Sequence, residues 1–325
     1  MKLLSKKLSK ILFAALLGAG VVAGAGAQSY PSRPVQVLIG FPAGGSGDIV
    51  ARLVMQKMTD LTGNPFLIEN RTGAGGNLAF SATASAKPDG YTLLFSTPGI
   101  AINPSLYKKV NFTLEDFTPI ALIGEAPLAL LANPTLSIKT VADLVAAGKA
   151  KPDAIRFASS GNGSSSHLAM DVLRHMSGMN YMHIPYRGGG PALVDVISGQ
   201  VDVTMLPISE TLSYIREGRV VALGQSGKTR SPIAPNIPTI EEAGIKGYFS
   251  TTWYMVLGPA NLPANVIDYV QGNLSKVLKM PELQEKLQAV GVSIINGDSA
   301  DAKAFLYAEY ARWRELIKAS GTVIE

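Results

Sequence analysis

Apolar and polar positions alternate along this chain in two registers. The runs Val35 to Ile39 (V-Q-V-L-I), Phe66 to Asn70 (F-L-I-E-N) and Tyr91 to Ser96 (Y-T-L-L-F-S) have the length and residue content of strands, and each ends in a loop of Gly, Pro, Ser or Thr. After the first loop, Ile49, Val50, Leu53, Val54, Met58 and Leu61 recur at helical spacing. After the second, Arg71 to Gly76 (R-T-G-A-G-G), an Ala/Ser-rich helix is predicted from Asn77 to Ala86, and the third strand runs out into Thr97-Pro98-Gly99. Strands alternating with helices predict an α/β fold with a parallel sheet, whose ligands gather at the carboxyl ends of the strands.

The apolar run that starts near Phe117 and is broken by Gly124 and Pro127 is longer than an ordinary strand, and reads as a crossing into a second domain. There the same unit returns. Thr140 caps a helix to Ala150. A strand over Ile155 to Ala158 leads through Ser159 to His167 (S-S-G-N-G-S-S-S-H) into a helix over Leu168 to Met176. A strand over Tyr181 to Tyr186 is followed by Arg187-Gly188-Gly189-Gly190-Pro191 and a helix to Ile197, then by a strand over Val201 to Leu206, a helix from Ser209 and a strand from Val220. A proline-rich linker, Ser231 to Pro238, precedes a second long apolar strand, Ser250 to Leu257, read as the return crossing before a helical remainder. Two crossings predict domains at 28–125 with 256–325 and at 126–255, joined by a hinge with a cleft between them.

The first 27 residues change how the charge is read. Lys2, Lys6, Lys7 and Lys10, the apolar run Ile11 to Val22 and Ala25-Gly26-Ala27 form the pattern of a secretory signal peptide with cleavage near Ala27. The apolar run falls short of the roughly 20 residues that span a bilayer. Setting aside those four lysines leaves 25 basic residues against 24 acidic ones, so the basicity of the whole chain belongs mostly to the leader. A nearly neutral mature protein lacks the clustered cations of a nucleic-acid binder. With no Cys, stability rests on the core, and neither a Cys-based zinc site nor a Cys nucleophile is available.

A strand, a glycine loop and a helix N-terminus, in that order, aim unpaired N–H groups at one point, reinforced by the helix dipole. The loop Phe41 to Asp48 (F-P-A-G-G-S-G-D) therefore reads as an anion receptor made of backbone. Nucleotide readings fail on spacing: Leu78 stands where G-x-G-x-x-G needs its third glycine, and Ala222 where a Walker A motif preceding Gly227-Lys228-Thr229 needs its first. No serine has glycine at both −2 and +2, so there is no nucleophile elbow. The alternative of an exported serine hydrolase rests on Ser164 or Ser165 with His167; the same serines read better as caps of the helix beginning there. The three His fit no zinc pattern, so no metal or cofactor is expected. Asp48 suits the helix dipole as well as a ligand, and Asp202 is an acid near a strand end.

The segments Y-P-S-R-P-V (Tyr30 to Val35), F-P-A-G-G-S-G-D, I-E-N-R-T-G-A-G-G (Ile68 to Gly76), K-P-D-G-Y-T-L-L (Lys87 to Leu94), S-S-G-N-G-S-S-S-H-L (Ser159 to Leu168), I-P-Y-R-G-G-G-P-A (Ile184 to Ala192), G-Q-V-D (Gly199 to Asp202) and P-T-I-E-E-A-G (Pro238 to Gly244) span the mature chain. In this order they resemble the Bug receptors, the TctC-like extracytoplasmic solute receptors of tripartite tricarboxylate transporters. The resemblance implies a monomeric periplasmic binding protein with a type II-like two-domain fold, closing over a small organic carboxylate and handing it to membrane transporter subunits or a sensor protein. It implies ligand contacts from Ala43, Gly45, Ser46 and Asp48 on one side and Ser159, Gly163, Ser164, Ser165 and His167 on the other. Ser96, Thr97 and Asp202 are further candidates. The chain departs from the common pattern at Gly47, where many relatives carry Thr.

Overall fold

The computed structural model describes residues 30–151 and 153–320, so the leader expected at 1–27 lies outside the described residues. The first strand–loop–helix unit is β1 (Val35–Ile39) followed by α1 (Ser46–Thr62). The helix forms because Val50, Ala51, Val54 and Met58 line one buried face, the Val and Met side chains each contributing about 1.5–3 kcal/mol. It stops at Gly63, whose left-handed φ of 70° lets its N–H reach Thr59 O. β2 (Phe66–Asn70) and β3 (Thr92–Ser96) flank β1, both parallel to it.

The long apolar run is one strand, β4 (Phe117–Ala132). Phe117 to Pro127 pairs with β9 (Thr251–Pro259), antiparallel and with two register shifts, whereas Leu128 to Ala132 pairs with β7 (Val203–Pro207) and β8 (Val221–Gln225). β5 (Arg156–Ser159) and β6 (Met182–Pro185) extend the sheet beyond β7, all three parallel. β10 (Ser293–Gly297) pairs with the first part of β4. The strand order is β2-β1-β3-β9-β4-β7-β5-β6, with β8 and β10 also on β4.

The sheet is therefore mixed, where the alternation of elements alone predicts a parallel one. The parallel strands lie in two groups and the crossing strands β4 and β9 run antiparallel between them. The segment after β3 also differs. It forms a helix, α2 (Gly99–Leu106), although Gly99 and an internal Pro104 weigh against one. Burial of Ile100, Ala101, Ile102 and Leu106 overrides that local cost. In the second group of strands, β5 leads to α3 (Ser165–Ser177), β6 to α4 (Gly189–Ser198) and β7 to α5 (Ile208–Arg216). α3 starts three residues before the predicted Leu168, because Ser164 supplies the cap. β7 starts two residues after the predicted Val201, which leaves Asp202 just before its amino end.

Candidate ligand-binding site

The carboxyl ends of β1, β3, β5, β6 and β7 surround one cavity of about 450 Å³. Its first wall is the β1–α1 loop. Gly45 caps α1 in an extended conformation without a side-chain hydrogen bond, so the first-turn N–H groups have no partner within the helix. Asp48 shapes this loop from behind. The residue is 3% exposed, and its carboxylate accepts the Gly44 N–H (2.9 Å), the Asn70 amide (2.9 Å) and Arg52 Nε (2.9 Å). Burial alone would push the Asp48 carboxyl up, but Arg52, Gly44 and Asn70 together hold it below its ordinary value.

The second wall is the β5–α3 loop. The Ser164 hydroxyl accepts the His167 N–H (3.2 Å) and donates to Gly161 O (2.7 Å), a complete N-cap. Ser165 at N1 and Ser166 at N2 keep N–H groups without an intrahelical acceptor. The Thr252 hydroxyl of β9 donates to Ser165 Oγ at 2.6 Å, holding the first turn of α3 against β9. Tyr107 Oη, just past α2, donates to Asn162 O of the same loop at 3.3 Å.

His167 lies behind this wall. Its Nδ1 accepts the Gly163 N–H (3.3 Å), which leaves the proton on Nε2, and its ring stacks on His183 at 4.0 Å and 5°. Burial, then the nearby Arg174 charge, pushes His167 down to about 4. Burial, then His167, pushes His183 down to about 3. Both rings are neutral at pH 7, so the 3.6 Å approach of His167 Nε2 to Asp171 is not an ion pair there. Ser159 is fully buried, and its hydroxyl accepts the Gly161 N–H and meets His183 Nε2 at 2.6 Å.

Glu210, in the first turn of α5, completes the cavity. Its Oε1 accepts the Ser46 N–H at 2.7 Å, across 164 residues of sequence. Oε2 lies over the α-carbon of Gly189 at the start of α4, where any side chain would collide with it. Burial raises the Glu210 carboxyl above its ordinary value, against the opposing effect of Ser46, which offers both its N–H and its hydroxyl. The Tyr254 hydroxyl lies beside Ser46, fully buried and without a hydrogen-bond partner of good geometry.

Of the residues expected from sequence, Ala43, Gly45, Ser46, Thr97, Ser164 and Ser165 line the cavity. Asp48, Ser96, Ser159, Gly163, His167 and Asp202 do not. Ser96 donates to Thr97 O and is 1% exposed. Gly163 holds a φ of 73° with Asn103 against it. The Asp202 carboxylate, before the amino end of β7, takes the Arg156 N–H and guanidinium at 2.7 to 3.0 Å. The hydrolase alternative fails on geometry, because the Ser164 hydroxyl is committed to a cap and Ser165 to Thr252, and neither is paired with the His167 ring. Sequence reading missed Glu210, Arg187, Thr252 and the apolar walls Phe41 and Leu193. Arg187 had a signal, since it opens another glycine loop after a strand.

An α/β sheet with crossing strands at its centre and a cavity at the strand ends is the fold of periplasmic solute-binding proteins. A family model described as "Tripartite tricarboxylate transporter family receptor" matches residues 50–322. BugT of Bordetella pertussis is 32% identical over 313 residues, covering 94% of this chain and 95% of that protein. Among solved structures, an R. palustris protein with adipate matches at TM-score 0.86 and 30% identity, covering 90% of this chain and 99% of that one. The periplasmic binding protein BugD matches at 0.85 and 31%, covering 91% and 100%. The chain belongs to the receptors of the tripartite tricarboxylate transporter family, and is a solute-binding protein and not an enzyme.

Proposed function

We propose that this receptor captures a small organic carboxylate in the periplasm, after removal of its leader near Ala27, and presents it to the membrane subunits of a tripartite transporter. One observation carries the reading: the N-termini of α1 and α3 reach the same cavity from opposite walls, each with serine at its first position. Such N–H groups favour an anion without needing a lysine or arginine beside it. Donors remain at Gly47 on one side and at Ser165 and Ser166 on the other. The adipate held by the R. palustris relative supports a carboxylate here.

The switch of β4 from β9 to β7 between Pro127 and Leu128 supports a hinge between the two groups of strands, with 28–125 and 256–325 closing on 126–255. A ligand that bonds both walls then favours the closed form by the free energy of the contacts it adds there. The test is titration of the mature protein with mono-, di- and tricarboxylates, followed by calorimetry and melting temperature. A ligand at a hundred times its Kd adds about 2.7 kcal/mol of stability. Absence of saturable binding by every acid at millimolar concentration would overturn the reading.

A further inference from the structure

Glu210 is out of place in a cavity built for an anion. Among the residues lining it, Glu210 and Arg187 carry the charges, and every other side chain there is neutral. Arg187 is exposed and has no ion-pair partner among the described residues. Glu210 has no cationic partner among them either; its bonds come from Ser46 alone. A partly buried carboxylate without a cation is costly, and a carboxylate ligand placed beside it would raise that cost by like-charge repulsion.

Glu210 is also held in place. Ser46 at the α1 N-terminus fixes Oε1, and the missing side chain of Gly189 makes the space that Oε2 fills. The dipole of α1 favours the ionised form at this position. The cavity thus offers groups for both signs of charge, a fixed carboxylate at Glu210 beside unpaired N–H donors of both helices and the Arg187 guanidinium, together with apolar surface at Phe41, Ile49, Leu193 and Tyr214.

We infer that the ligand is zwitterionic, a carboxylate that also carries a cationic nitrogen, with the nitrogen on Glu210 and the carboxylate on the helix N-termini. This rests on the carboxylate-receptor reading and narrows its ligand class, making Glu210 the residue that selects for the amine. A plain dicarboxylate leaves Glu210 unpaired. An amino acid with an apolar or extended body satisfies both ends and fills the walls.

The experiment compares acids that differ only by the amine: L-phenylalanine against 3-phenylpropanoate, and 2-aminoadipate against adipate. Each is titrated calorimetrically into the wild type and into Glu210→Gln. The expected result is tighter wild-type binding of the amino member of at least one pair, by about tenfold or more, as for a charge-assisted hydrogen bond. Glu210→Gln should abolish that preference while still binding the deaminated member. Equal or tighter wild-type binding of the deaminated acids would overturn the inference, as would a preference unchanged in the variant. Tighter binding of both members by Glu210→Gln would also overturn it, marking Glu210 as an internal anion that ligands displace. If the variant fails to fold, the wild-type preference decides alone. Should no acid bind, with or without an amine, the carboxylate-receptor reading itself falls.

Discussion

The imidazole rings of His167 and His183 lie stacked 4.0 Å apart and nearly parallel, at 5°, behind the β5–α3 loop. Protonating either ring places a cation against its neighbour in a site from which His167 is almost wholly excluded from water. Both rings titrate lower in the folded protein, at about 4 and about 3, than the ordinary 6.5 of an unfolded histidine. Between these values the unfolded chain binds more protons than the folded one, so stability rises with pH. The contribution is complete above pH 6.5 and is lost as pH falls towards 4 and then 3. Melting temperature is expected to drop steadily from pH 7 to pH 4, and His183→Gln to flatten that slope. A slope unchanged by the substitution would contradict the account.

Gly163 is expected to tolerate no side chain. Its φ of 73° is left-handed, and a Cβ would collide with Asn103 Oδ1, a buried oxygen already lacking a hydrogen bond. Gly163→Ala should cost about 1–3 kcal/mol. Chemical denaturation measures it, and a midpoint within error of wild type would show that the loop has room to adapt.

Asp202 and Arg156 provide a control remote from the cavity lining. Their bidentate pair, 2.7 Å at its shortest, closes the turn before β7. Asp202→Asn should lower stability by about 1–3 kcal/mol, through partners left poorly satisfied. Ligand affinity should stay within about threefold of wild type. A loss of affinity without loss of stability would place Asp202 at the ligand after all.

The strand, glycine loop and helix units were legible because each is encoded locally, by an apolar run, a loop that frees N–H groups and a buried helical stripe. The cap at Ser164 was legible for the same reason. The helix Gly99–Leu106 was not, since its local propensities oppose it and only burial pays for it. Glu210 reads in sequence as an ordinary acid in an amphipathic helix. Its meeting with Ser46 depends on how two distant walls pack, and no spacing records that. Asp48 was a candidate on its position at the start of a helix, and Arg52 and Asn70 show why an acid sits there without facing the cavity.

The bond between Thr252 and Ser165 should contribute to capture, because it fixes a first-turn serine of α3 that lines the cavity. Thr252→Val is expected to weaken carboxylate binding about tenfold while leaving the melting temperature of the free protein nearly unchanged. Equal weakening of both would make the bridge a fold contact only.

The most direct measurement is a crystal structure with the tightest-binding acid from the titration. The account predicts its carboxylate oxygens within about 3 Å of first-turn N–H or hydroxyl donors of both α1 and α3. A ligand seated elsewhere, or one whose carboxylate touches neither helix N-terminus, would contradict it.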